Sequence, residues 1–273
     1  MTNPPGATRT GREGRAPRRP GLIRRAAAVY AQIARVYRSW WAEILLLALI
    51  VFVPLGLVDA AFADGVATLD PDHDLELLAM LSAAGLVAAT GLLGEVFFAG
   101  TIGLSLAHAR EGRPPPLGYI ARRISYGRLI AVDLLYVLAT VAGVLLLLLP
   151  GIAVFVLLAL AGPAVELEER GVRSAFARSF RLVRSDFWLV FWVLMPIQIV
   201  GGAVGEGIEA LAHGALGNGF LASGLAEAIS NVALSPLFAL AAVLLTTRLI
   251  ALAEDDPPPR FDHLRGGRAA SGS

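Results

Sequence analysis

The sequence is a series of long apolar runs separated by short polar segments, and this pattern most restricts how the chain can fold. Of its 273 residues, 56% are hydrophobic and only 16% are charged. A soluble domain carries about 25% charged residues. Because a backbone inside a bilayer must satisfy its own hydrogen bonds, the apolar runs are expected to cross as helices. We therefore expect an all-α membrane protein.

The apolar runs predict six transmembrane helices. They lie at about 44–61, 79–107, 129–149, 152–165, 187–204 and 225–249. The second run is longer than a bilayer core of about 30 Å requires, so tilt or a kink has to absorb the excess. Only Pro150 and Gly151 separate the third run from the fourth. The alternative at that point is a re-entrant hairpin that does not cross fully.

The basic residues predict the orientation of these helices. All 23 are arginines, since the chain has no lysine. Six spans with a cytoplasmic N-terminus place residues 1–43, 108–128, 166–186 and 248–273 on the inner side, where they hold 9, 5, 5 and 4 arginines. The outer connections hold none. Because cytoplasmic loops are enriched in basic residues, we expect a multipass protein of a bacterial cell membrane with both termini in the cytoplasm.

The membrane domain, residues 21–252, lies between two polar tails. Residues 1–20 are rich in Pro, Gly and Arg, and residues 253–273 contain a run of three prolines. Both tails are predicted to be disordered because they have little apolar surface to bury. The chain has no cysteine, which excludes disulfides and thiolate sites.

Three of the inner basic segments are predicted to contain amphipathic helices on the cytoplasmic membrane surface. In the first, apolar residues recur at steps of three and four, namely Leu22, Ala26, Val29, Ile33, Val36 and Trp40. The second lies at residues 119–128. The third spans residues 172–187 and carries an arginine face. Its candidate contacts to anionic lipid headgroups are Arg173, Arg178, Arg181 and Arg184.

Two carboxylates within the predicted spans form a candidate intramembrane polar site. They are Glu95 in the second span and Asp133 in the third. Charges are costly inside a bilayer, so such residues are functional candidates. They could form a proton- or cation-linked site that faces a cavity. Alternatively, each carboxyl is bonded to neighbouring helices and fixes their packing.

The sequence contains no catalytic, metal or cofactor motif. There is no G-x-S-x-G elbow and no Walker phosphate loop. Glu166, Glu168 and Glu169 could include an acid–base pair, but the arginines of the same segment favour surface salt bridges. The histidines lie far apart without the i, i+4 spacing of a helical zinc site, namely His73, His108, His213 and His263. We therefore expect neither an enzyme nor a bound cofactor.

The segment between the fourth and fifth spans resembles a known membrane-protein family. It follows the pattern E-x-x-G-x-x-x-A-x-x-R-S, then R-L-V-R and Phe-Trp, carried by Glu168, Gly171, Ala175, Arg178, Ser179, Arg181, Leu182, Arg184, Phe187 and Trp188. This pattern is similar to the membrane domain associated with glycerophosphoryl diester phosphodiesterases. The resemblance implies a six-helix membrane module. Some members also carry a soluble phosphodiesterase barrel, but no barrel sequence occurs in these 273 residues.

These observations leave two main functional hypotheses. The first is a non-enzymatic module that scaffolds or regulates partner proteins or binds lipid. The alternative is a small transporter or channel that uses Glu95 and Asp133. A membrane-embedded lipid-active enzyme has the least support, because no nucleophile or metal set is visible. The expected partners are the bilayer, its anionic headgroups and other membrane proteins, and not nucleic acid.

The predicted orientation can be tested with single cysteines, because the native chain has none. A cysteine at Ala67 should react with a membrane-impermeant thiol reagent added outside intact cells. A cysteine at Ser174 should react only after the inner side is opened to the reagent. The reverse pattern would overturn the orientation.

Overall fold

The structure is a computed structural model and describes residues 21–67, 94–109, 113–217 and 220–253. Within these ranges every regular element is an α-helix, as the apolar runs predict. The helices are α1 (Leu22–Ala67), α2 (Glu95–Ala107), α3 (Leu117–Arg123), α4 (Tyr126–Leu146), α5 (Leu148–Leu158), α6 (Ala161–Leu167), α7 (Val172–Ser185), α8 (Phe187–Leu216) and α9 (Phe220–Ala253).

Five helical stretches of the described chain are long and apolar enough to cross a membrane. They are Leu22–Gly56, Tyr126–Val144, Leu149–Leu167, Phe187–Ala215 and Gly224–Ala253. The all-α membrane-type fold is therefore confirmed. The apolar α2 has 13 residues, and at about 1.5 Å per residue it is shorter than a bilayer core. The rest of the predicted second span, residues 79–93, and the tails 1–20 and 254–273 lie outside the described residues.

The first helix bends at Trp40, whose backbone angles, φ −125° and ψ 22°, are not helical. This bend divides α1 near the boundary predicted between the amphipathic segment and the first span. The predicted apolar face of the first part is buried from Ala26 to Trp40. It packs into the helical core, and the Tyr30 hydroxyl donates a hydrogen bond to the Val193 carbonyl at 2.9 Å. This face therefore contacts the protein itself.

The chain turns between α4 and α5 at Leu147, which has an extended backbone. This is three residues before the Pro150–Gly151 turn that the sequence predicts. Pro150 instead lies in the first turn of α5, where its missing N–H leaves no hydrogen bond unmade. Small residues let the two helices approach closely, because a Cβ on Gly143 would lie 2.9 Å from the Cα of Gly151.

Helix α7 is held against the bundle by residues of the family-like motif. The Arg178 guanidinium donates to both carboxylate oxygens of Glu168, at 2.7 and 3.0 Å. The Ser179 hydroxyl donates to the Leu157 carbonyl at 2.7 Å and accepts from the Leu160 N–H at 3.2 Å. The helix is interrupted here, since α5 ends at Leu158 and α6 begins at Ala161. Ser179 therefore provides partners for backbone groups beside the break.

The acidic residues beside α7 serve as structural partners. Burial alone would raise the pKa of Glu168, but hydrogen bonds and charges from Arg178 and Arg170 outweigh it and hold the pKa below its ordinary value of 4.5. The Glu166 carboxylate accepts a hydrogen bond from the Ser125 backbone N–H at 2.9 Å. These contacts agree with the salt-bridge interpretation of the segment.

Contacts between distant segments gather arginine-bearing parts of the chain at one end of the bundle. Arg25 forms an ion pair with Asp186. Arg248 donates to the Arg25 carbonyl at 3.4 Å, and Arg128 donates to the Glu169 carbonyl at 3.3 Å. We call this end, which contains residues 22–39, α3, the α6–α7 connection and α7, the basic end.

Glu168→Gln should destabilise the protein near neutral pH, because a neutral amide cannot form the ion pairs with Arg170 and Arg178. A group whose folded-state pKa is lowered stabilises the fold fully above its unfolded-state pKa, and this contribution is lost as pH falls through the folded-state value. The difference in melting temperature between wild type and Glu168→Gln should therefore be largest near neutral pH and should shrink below about 4.5.

The matched control for this measurement is Glu169→Gln. The Glu169 side chain is exposed and lies next to Glu168 in the chain. Surface charges contribute about 0–1 kcal/mol to stability, so this variant should melt close to the wild type. Equal losses in both variants would contradict a specific role for the Glu168 carboxylate.

Candidate functional site

Two buried carboxylates lie at the N-terminal end of α2. Gly94 precedes the helix in the left-handed region, with φ +90°, which glycine adopts without steric cost. Glu95 begins α2, and Asp133 approaches the same end from α4. The two residues are 6% and 4% exposed. The structure therefore brings both predicted site residues to one place inside the bundle.

Asp133 caps α2. One carboxylate oxygen accepts from the Gly94 N–H at 2.6 Å, and the other accepts from the N–H groups of Val96 and Phe97 at 3.0 and 3.4 Å. The first N–H groups of a helix have no intrahelical partner, and the partial positive charge there attracts a carboxylate. Asp133 is therefore a structural residue that supplies an N-cap from a neighbouring helix.

Glu95 has a different partner. Gln198 on α8 donates from its side-chain amide to both carboxylate oxygens, at 3.0 and 3.3 Å. The two carboxylates thus take separate hydrogen-bond partners, Asp133 the start of α2 and Glu95 a side chain of α8. Glu95 forms no ion pair within the described part of the chain.

Sequence reasoning missed three polar residues near these carboxylates. Gln198 is the only amide in the apolar run 187–204, which is a signal visible in the sequence. Tyr136 and Thr140 follow Asp133 at i+3 and i+7, and this spacing places all three on one face of α4. The hydroxyl oxygens of Tyr136 and Thr140 are buried and have no hydrogen-bond partner among the residues that the structure describes. Such unpaired groups are uncommon in protein interiors.

A cavity of about 500 Å³ lies between α4, α5, α8 and α9, with Glu95 in its lining. Small-molecule sites commonly measure about 300–1,000 Å³. We call this space the polar cavity. Its polar lining residues are Glu95, Thr140, Gln198, Glu206, Ser230, Asn231 and Ser235.

Glycines on α8 keep the polar cavity open. Gly201, Gly202 and Gly205 lie along its lining between Gln198 and Glu206. A Cβ on Gly205 would lie 2.8 Å from the Ser230 hydroxyl oxygen, so a larger residue would crowd the cavity there. Glu206 is exposed, whereas Glu95 is almost fully buried. The cavity thus has an exposed end at Glu206 and a buried end at Glu95.

Asp133 lines a different space. A second cavity, of about 570 Å³, lies between α1, α2, α3 and α4. Its lining is mainly apolar and includes Leu47, Phe97 and Ile120. The polar cavity therefore reaches one of the two predicted carboxylates and not the other.

The arginines of α7 do not share one environment. Arg173, Arg181 and Arg184 are exposed, whereas Arg178 is paired with Glu168. Phe180 on the same helix is also exposed, at 43%. The residues that α7 buries are Ala175, Ser179, Leu182 and Val183. Three of the four predicted headgroup contacts thus remain accessible.

The described histidines form no site together. His108 lies beside Tyr119 at the end of α2, and His213 lies near the end of α8. His73 and His263 are not among the residues that the structure describes. Within the described ranges, no group of three His, Asp or Glu side chains could hold a metal ion.

Comparison of the chain with known protein families, with curated proteins and with solved structures finds no match. The resemblance to the phosphodiesterase-associated membrane domain stays a prediction that rests on the motif.

Asp133→Ala should destabilise the protein more than Asp133→Asn. Alanine leaves three buried N–H groups without an acceptor, and each unsatisfied group costs about 1–3 kcal/mol. Asparagine retains one acceptor oxygen. For a chain of this size, 1 kcal/mol corresponds to roughly 2–4 °C in melting temperature. The melting temperature in detergent should therefore fall by several degrees for Asp133→Ala and by less for Asp133→Asn. Wild-type stability of Asp133→Ala would contradict the cap.

Proposed function

We propose that the chain is a six-span protein of the cell membrane with both termini in the cytoplasm. Five helical stretches are long enough to cross, and α2 would form the inner part of the one remaining span, the second in chain order. The contacts that gather the basic end support this orientation, because arginine-rich segments favour the cytoplasmic side. In this arrangement α8 runs outward from the basic end, and the exposed end of the polar cavity faces outside.

The segment 22–39, α3 and α7 would then lie at the cytoplasmic membrane surface. The exposed guanidinium groups of Arg173, Arg181 and Arg184 are available to anionic headgroups. Trp188 and Trp192, at 61% and 52% exposure, are suited to the interfacial aromatic belt. Arg178 is not part of this surface, because Glu168 occupies it. The bilayer is the partner that this surface would contact.

The function that this geometry supports best is the binding of a small solute inside the membrane, as in a small transporter. The observation that carries it is the polar cavity, where the buried Glu95 carboxylate and the unpartnered Thr140 hydroxyl line one space. Intramembrane charges commonly mark substrate or ion pathways. A module that only scaffolds partners has no need for such a space.

Only one of the two predicted carboxylates has this role. Asp133 is occupied by the N-terminus of α2, so Glu95 is the residue proposed to meet the solute. We propose no chemical reaction at this site. The described lining offers carboxylates, hydroxyls and two amides, which suit the binding of a solute.

The proposal requires that the polar cavity is wet and open to the outside. Ser230→Cys and Gly202→Cys should therefore react with a membrane-impermeant thiol reagent added to intact cells. A Cβ at Gly202 has no atom within 4 Å, so this variant should fold normally. Ala239→Cys, at a fully buried position on α9, is the control and should not react.

Protection of both cavity cysteines, under conditions in which a cysteine at Ala67 reacts, would overturn the proposed solute site. If the cavity cysteines react only with reagent on the cytoplasmic side, the cavity is wet but opens to the cytoplasm and not to the outside.

A further inference from the structure

We propose that the solute of the polar cavity is an organic cation, a protonated amine on a compact apolar body. This inference rests on the proposed solute site and names its ligand class. It depends on the charge of the lining, on the unmet hydrogen-bonding groups at the buried end, and on the apolar wall beside them.

The charged residues of the described lining are both acidic. They are Glu95 at the buried end and Glu206 at the exposed end, and the described part of the lining includes no arginine or histidine. A cleft with charges of one sign and low-dielectric walls concentrates ions of the opposite sign. The polar cavity therefore favours cations over anions.

The buried end offers acceptors that match an ammonium group. An ammonium carries three N–H donors and no acceptor. Glu95 presents two carboxylate oxygens, and in the described chain the Gln198 amide is their hydrogen-bond donor. Gln198 uses its amide N–H groups on Glu95, which leaves its carbonyl oxygen as an acceptor. Thr140 is 5% exposed, and its hydroxyl has no hydrogen-bond partner within the described ranges. This hydroxyl is independent of the two acids and also marks a ligand position.

The remaining lining distinguishes an organic cation from a bare metal ion. Phe155, Met195 and Ile197 give the cavity an apolar wall. The Phe155 ring is held between Tyr136 and Phe238, with ring centroids 6.0 and 5.8 Å away. Aromatic faces attract cations, and apolar walls favour an apolar body. A volume of about 500 Å³ also far exceeds the space that one ion needs.

The probe for this proposal is phenethylammonium, with phenylethanol and phenylacetate as its neutral and anionic counterparts. Calorimetric titration of the purified protein should show binding of phenethylammonium that is roughly tenfold or more tighter than that of either counterpart. Glu95→Gln should weaken it by about the same factor, since it removes the counter-charge. Glu169→Gln, at the basic end, should bind as the wild type does.

A second measurement guards against misfolding of Glu95→Gln. In otherwise native protein, phenethylammonium should slow the labelling of Ser230→Cys, and phenylacetate should not. Thr140→Val, which replaces the hydroxyl with a methyl group of similar size, should weaken the protection severalfold. Equal binding of the three probes, a preference for phenylacetate, or protection by sodium chloride without protection by the amine would overturn the proposal.

The two experiments separate two kinds of failure. If neither Ser230→Cys nor Gly202→Cys reacts with the thiol reagent, the solute site itself is wrong. If the cavity cysteines react but phenethylammonium neither binds nor protects them, the solute site stands and the assignment of an organic cation is wrong.

Discussion

A helix that starts inside an apolar bundle needs acceptors for its first backbone N–H groups, because no water is there to provide them. Asp133 meets this requirement for α2 and joins it to α4. Helix α2 also packs against α6 and α9, so the centre of the bundle depends on where this cap holds it. Gly162 on α6 allows the close approach, since a Cβ there would collide with the Val96 carbonyl.

Because Asp133 forms the cap, only Glu95 of the two carboxylates lines the polar cavity. The N-terminus of α2 attracts negative charge, and Asp133 occupies its N–H groups. Glu95 starts the same helix but points toward α8, where Gln198 contacts it. One carboxylate is thereby used by the fold, and the other faces a space lined with hydroxyls, amides and glycines. Two residues of similar chemistry thus have different structural partners.

The motif at residues 168–188 predicts a local helix but not the residues that this helix contacts. Its alternation of aromatic residues and arginines predicts an amphipathic helix, and α7 is such a helix. The same pattern does not show that Arg178 pairs with Glu168, or that Ser179 bonds to backbone groups at the break between α5 and α6. These partners are 10 and about 20 residues away in the chain, and only the path of the intervening chain brings them together.

The sequence alone determined the all-α membrane class and the positions of its main helices, because apolar length dictates how a chain can satisfy its backbone in a bilayer. It also identified Glu95 and Asp133, since charges stand out in apolar runs. Only the tertiary structure decided their roles and the place of the turn at Leu147. Hydrogen-bond partners and cavities depend on how several helices pack together. The periodicity within one helix does not predict which other helices pack against it.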